Sequence, residues 1–305
     1  MGEVDKSLLD KALSHIEQEI GFPNIRTSIK SNYEIIQKTH DSIHEFMYLM
    51  SFCLPSETGV NWHSKSAFLT YHWEAFHQAH RSFLEALSGY YSSAYVLLRS
   101  TLELILRGAF WECLAHKSFR EKAIVLSKGK EKRKSVRDWI EGLIERKPSV
   151  EKDLEETSVA ILDKTAILFS DPEFQKQFVQ IPPFSEVVKQ LIDWHVVDIP
   201  KPFDTLYSNL YRDLSKDVHA IPDATDIGRR LLFERDFMEI KVMRDELIKY
   251  MKTLHEVMDI GIVVELNILR DWIESGDKIK LKERLATLED LELKYSVTKL
   301  KSLIA

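Results

Sequence analysis

The sequence predicts an all-α protein: a helical bundle with helical extensions at both ends. Three observations lead there. Glycine and proline number only 10 and 9 in 305 residues, too few for a turn-rich β protein. Leu, Glu and Lys, residues that helices favour, are the commonest in the composition, with Ile close behind. Apolar residues recur at steps of three and four over long stretches, and no segment reads convincingly as a strand.

Composition sets further bounds. With 44% hydrophobic and 30% charged residues the chain is globular, and a net charge of −6 offers no global attraction to a polyanion. Any nucleic-acid contact therefore needs a local patch. The two cysteines, Cys53 and Cys113, are too few for a disulfide framework and sit in apolar segments, as reduced buried thiols do. The first residues, MGEVDKSLLDKAL, are acidic and amphipathic, unlike a secretory signal. The longest apolar run, near Ile260–Val264, is far too short for a bilayer. The expected setting is the cytoplasm, with no membrane partner.

Residues 4–54 read as two amphipathic helices broken around Gly21–Pro23, and Leu54, Pro55 and Gly59 mark a loop. A histidine- and aromatic-rich helix follows from Asn61 to Leu87, ended by Ser88 and Gly89. Tyr91, Tyr95, Leu98, Leu102, Ile105, Ala109 and Cys113 then form one apolar stripe. Residues 117–137 turn basic, and further helices are separated at Pro148, at Asp171-Pro172 and at Pro182-Pro183. After a loop with Pro200 and Pro202 comes a helix over Phe203–His219, then a turn at Ala220–Gly228. A long helix is expected over Arg229–Val264, its stripe of Phe233, Phe237, Ile240, Leu247, Met251, Leu254 and Met258 spaced like a bundle seam. Lys/Glu-rich helices with Leu285, Leu288, Leu291 and Leu300 on their apolar side complete the chain. The organisation expected is an N-terminal helical extension over 1–60, a bundle over 61–263 and a helical appendage over 264–305.

The segment YSNLYRDLSKDVHAIPD holds the residues best suited to chemistry. Its spacing predicts Tyr207, Tyr211, Leu214 and Val218 as the buried face. Arg212 and His219, seven residues apart, share another face with Ser215 and Lys216 between them, about 10 Å apart along the axis. Pro222 places His219 in the last turn, where the helix dipole favours a protonated imidazole. Cations that hold a phosphate, beside a histidine that moves a proton near neutral pH, suit phosphodiester chemistry. The alternative is a plain polar stripe facing solvent.

Arg212-Asp213, five residues and His219 resemble the R-polar-x4–6-H motif of the HEPN superfamily (higher eukaryotes and prokaryotes nucleotide-binding). The upstream AYVLLRSTLE helix is similar to one that often accompanies that motif, and the resemblance spans about residues 62–263. It implies a helical bundle, often dimeric, and in many members a metal-independent ribonuclease of toxin, CRISPR or anti-phage systems. On that basis Arg212 would orient the scissile phosphate and His219 would serve as general base or acid. Asp213 would position one of them, and attack by the ribose 2′-OH would leave a 2′,3′-cyclic phosphate. The motif helix and the Arg229–Val264 helix are the expected dimer faces, with an antitoxin or regulatory protein as a further partner. Some members only bind, so a non-catalytic nucleotide-binding or interaction module remains open.

Three other features invite a functional reading. Arg99, Glu103 and Arg107 form a ladder at steps of four, which either pairs within its helix or orients the motif. The stretch Lys117–Arg137 carries nine Lys or Arg against two Glu, a local +7 that fits either an RNA footprint or a solvated loop. In HWEAFHQAH, Glu74 and His77 make an E-x-x-H pair with His80 one turn on, but no second such pair exists, and Cys113 with His116 does not complete a zinc set. No metal and no cofactor are expected.

Overall fold

The computed structural model describes residue 14 and residues 22–53, 65–122, 136–169, 183–218, 242–274 and 277–304. Among these, every regular element is a helix, and no helix is long and apolar enough to cross a membrane. In order they are α1 (Phe22–Ser31), α2 (Tyr33–Cys53), α3 (Ala67–Ser88), α4 (Tyr91–Ala115), α5 (Lys117–Arg120), α6 (Val136–Arg146), α7 (Ser149–Glu156), α8 (Ala160–Phe169) and α9 (Phe184–Asp193). A π-helical stretch, Asp204–Tyr211, runs into α10 (Arg212–Val218). Then come α11 (Arg244–Ile268), α12 (Arg270–Glu274), α13 (Lys278–Asp290) and α14 (Lys294–Ile304).

The helices α2, α3, α4 and α11 pack as the central bundle. Antiparallel α3 and α4 form its tightest pair. The Ser66 hydroxyl caps α3 by accepting from the Leu69 N–H at 3.2 Å. At the other end Gly89, at φ 96°, lets its own N–H reach the Ala86 carbonyl and that of Tyr90 reach Glu85, reversing the chain in two residues. Buried Ala75, Ala79, Ala86 and Ala94 let the backbones approach. At Gly108 the approach is closest: a Cβ there would lie 2.6 Å from the Tyr71 Cβ.

The stripe predicted from Tyr91 to Cys113 is buried throughout, as are Leu247, Met251, Leu254 and Met258 of the predicted seam. Phe233, Phe237 and Ile240 lie outside the described residues. From Val257 to Leu266 every residue of α11 is buried, so this half of the helix forms the middle of the molecule, while residues 229–241 of the expected dimer helix lie outside the described residues. Helix α11 also runs past position 264 without interruption. The first described helix begins at Phe22, and residues 15–21, on the other side of the break expected at Gly21–Pro23, lie outside the described residues. Pro23 sits in the first turn of α1, where a missing N–H costs nothing, and a bend falls at Asn32.

Several charged or polar groups are sealed into this bundle. His72 is 1% exposed and its Nε2 lies 2.9 Å from the Phe46 carbonyl, so the ring N–H points there. Burial pulls its pKa down to about 4. Glu265 is fully buried 3.7 Å from the same nitrogen, and burial pushes its carboxyl well above the usual range. Glu45 is pushed up to about 7, chiefly by burial and against the pull of Arg284, whose Nη1 lies 3.0 Å away. On the other side, buried Asp259 of α11 accepts from the N–H groups of Tyr295 and Ser296 at 3.0 and 2.8 Å, capping α14.

Candidate functional site

The segment carrying the motif packs on α4, beside α9. Its buried side is Leu206, Leu210 and Leu214, at 0%, 6% and 1% exposure. Tyr207 and Tyr211, predicted for that side, are half-buried instead. Here the stretch Asp204–Tyr211 is π-helical, and the leucines at 206, 210 and 214 take the buried side while the tyrosines one position on lie at its edge. The side chain of Val218 lies outside the described residues.

Tyr211 is the anchor of this segment. Its hydroxyl donates to Glu103 Oε1 at 2.9 Å and accepts from Arg99 Nη2 at 2.7 Å. The Arg99 guanidinium also lies over the Tyr211 ring, 4.8 Å from its centre. Burial, with Glu103 beside it, holds the phenol in its protonated form by raising its pKa. Within α4, Arg99 Nε reaches Glu103 at 3.0 Å and Arg107 Nε reaches it at 3.7 Å. The ladder thus pairs along its own helix, and it also holds the motif segment through Tyr211. Among the described residues the grip is on Tyr211 and not on Arg212. Arg99 Nη1 is buried with no hydrogen-bond partner among the described residues.

Immediately beyond this anchor, Arg212 and Asp213 are exposed. Asp213 pairs with Lys216 at 3.1 Å, and the Ser215 hydroxyl donates back to the Tyr211 carbonyl at 2.6 Å. Both contacts are local to the helix. His219, and with it the Arg212–His219 spacing, lies outside the described residues.

A row of aromatic rings runs along this segment, which the sequence reading missed. Phe203 and Tyr207 lie 5.2 Å apart, Tyr207 stacks on Tyr211 at 5.4 Å, and Tyr211 meets Phe184 of α9 at 4.3 Å. Lys189 Nζ lies 5.8 Å from the Phe203 ring centre and the Arg107 guanidinium 5.9 Å from that of Phe184. The signal was there, in aromatic residues at 203, 207 and 211.

No family model matches the chain, and comparison with curated proteins and with solved structures gives no significant match.

The other predicted features resolve unevenly. Arg120, one of the nine basic residues counted toward an RNA footprint, is 1% exposed. It donates to the Leu114 and Ala115 carbonyls at the end of α4 and pairs with Glu141 at 3.1 Å, while Lys117 pairs with Glu151 at 3.6 Å. Residues 123–135 lie outside the described residues. Burial pushes the Cys113 thiol well up, leaving an inert side chain, and His116 pairs with Glu112 at 3.3 Å. The Cys53 side chain lies outside the description.

A cavity of about 860 Å³, lined in part by Glu112, His116, Trp194 and His195, contains none of the predicted site residues. The E-x-x-H pair does not assemble a site either. Glu74 bonds Gln78 at 3.2 Å and His77 packs edge-on to Trp73. His80 instead meets His40 and His44 of α2, a group of three histidines that the sequence reading did not bring together.

Proposed function

We propose that this chain is a metal-independent RNA endonuclease of the HEPN type, acting as a homodimer in the cytoplasm, in the manner of toxin and defence effectors restrained by a regulatory partner. The observation that carries the reading is the setting of Arg212. A guanidinium and a carboxylate stand exposed on a helix fixed from beneath by Leu214 and from behind by the Arg99–Glu103–Tyr211 clamp. A rigid base with a solvent-facing cation is what phosphate positioning requires. Arg212 would grip the scissile phosphate, His219 would transfer the proton, and Asp213 and Lys216 would steer the pair. A second copy would double this sparse set, with the motif helix and the Arg229–Val264 helix as the candidate dimer faces.

The aromatic row supports a second reading, in which the segment binds a nucleotide without cutting it. Stacked rings flanked by Lys189 and Arg107 offer π-faces and positive charge to a base and its phosphate.

The deciding test is incubation of the purified protein with end-labelled RNA in excess EDTA, beside Arg212→Lys and His219→Ala. Wild type should cut and leave 2′,3′-cyclic phosphate ends. Both variants should lose about 10²–10⁴-fold in rate, since one lacks the planar fork and the other the proton carrier. Equal cutting by all three, or cutting that EDTA abolishes, would overturn the nuclease reading. Retained binding without cutting, weakened by Tyr207→Ala, would establish the second.

A further inference from the structure

We propose that His40, His44 and His80 form a binding site for one zinc-class divalent ion, bridging α2 and α3, independent of the RNA-cleaving reading. His40 and His44 lie one turn apart on α2, and His80 faces them from α3. The Nε2 atoms of His40 and His44 are 3.1 Å apart, and those of His44 and His80 are 3.3 Å apart. A tetrahedral ion with metal–nitrogen bonds of about 2.0–2.1 Å separates its ligands by about 3.3 Å. The protein thus holds two edges of that tetrahedron at close to their working lengths.

The second ring nitrogens strengthen the case. His40 Nδ1 lies 3.1 Å from Asp41 Oδ1, and His80 Nδ1 lies 3.2 Å from the Phe76 carbonyl. Both oxygens accept hydrogen bonds, so each Nδ1 carries the hydrogen, and in a neutral ring that leaves Nε2 as a bare lone pair. Two such lone pairs converge on His44 Nε2, which can offer at most one proton between them. Three nitrogens crowd a space that their own hydrogens cannot satisfy, whereas a cation satisfies all three. A ligand histidine whose far nitrogen is tied to a carboxylate or carbonyl is also the usual outer shell of a metal site.

The surroundings fit. Phe76 packs edge-on to His80 at 4.4 Å and Tyr48 stacks on His44 at 5.7 Å, fixing the ring planes. All three histidines are half-buried, which leaves a fourth position to solvent. An all-nitrogen set selects zinc and its first-row neighbours over magnesium and calcium, which want oxygen.

The test uses the full chain after dialysis against EDTA, titrated calorimetrically with Zn²⁺ and, separately, with Co²⁺ followed by visible absorption. Variants are His44→Ala, His80→Gln and Asp41→Asn, with His116→Ala as a control. Wild type and control should bind one equivalent, and Co²⁺ should give the strong bands of a tetrahedral site. His44→Ala and His80→Gln should lose the site, and Asp41→Asn should weaken it about 10-fold or more. Zinc at about 100 times its Kd should raise the wild-type Tm by roughly 5 °C and leave that of His80→Gln unchanged. Binding to wild type no tighter than to folded His80→Gln overturns the proposal, as does weak octahedral cobalt absorption. Circular dichroism identifies any variant that fails to fold, and the others then decide.

Discussion

Where α2, α3, α4 and α11 meet, ionisable groups sit without water: Glu265 is fully buried, His72 is 1% exposed, and both are held neutral by burial. On the motif helix Arg212 and Asp213 face solvent, while Tyr211 and the leucines hold the segment against the core. The first region seals its polar groups into the packing; the second keeps Arg212 and Asp213 at the surface. A substitution in the first should therefore be felt as stability, and one in the second as activity.

The largest effect should come from Gly108→Ala. The Tyr71 Cβ stands 2.6 Å from the new methyl and cannot swing aside, so α3 and α4 must separate. The expected loss is about 3 kcal/mol or more by urea unfolding, outweighing the gain in helix propensity of about 1 kcal/mol. Next comes Glu45. Its carboxyl keeps a proton up to about 7 in the folded protein, while the unfolded chain releases it near 4.5. Stability from this group is therefore full below about pH 4.5 and is lost as pH rises toward 7. Glu45→Gln should remove that fall, on the order of 2–3 kcal/mol across the window, in urea midpoints measured from pH 4.5 to 7.5.

Tyr211→Phe tests the boundary between the regions. It removes the hydroxyl shared by Arg99 and Glu103 but leaves those two paired, so melting should report about 1 kcal/mol. The smallest effect should be that of Arg212→Ala, within about 0.5 kcal/mol of wild type. A marked drop in Tm for that variant would mean that Arg212 is part of the packing, and the contrast between the two regions would fail.

The same contrast explains what could be read from the sequence. Buried stripes on long helices announce themselves, because a residue every three or four positions has only one face to occupy. Tyr91 to Cys113 and Leu247 to Met258 were legible for this reason. The tyrosines at 207 and 211 were misplaced because two adjacent apolar stripes, Leu206/Leu210/Leu214 and Tyr207/Tyr211/Leu214, fit the same helical spacing, and only packing on α4 chooses the leucines. The histidine cluster was half legible. The one-turn spacing of His40 and His44 is visible in the sequence, but the third member comes from α3, and only the packing of α2 against α3 brings it within 3.3 Å. Likewise Glu103 could be seen as a rung in a charge ladder, but not as the acceptor for a tyrosine 108 residues away.

The cap that Asp259 places on α14 carries a consequence for motion. The first turn of a helix ordinarily frays, and its amides trade hydrogen for deuterium quickly. Here the amides of Tyr295 and Ser296 are locked to a carboxylate that is itself buried in the middle of α11. Releasing them would leave that charge unpaired in an apolar surrounding, so they can open only when the bundle opens. In native-state hydrogen exchange those two amides should therefore be among the slowest of α14, exchanging with the protection of the central helices.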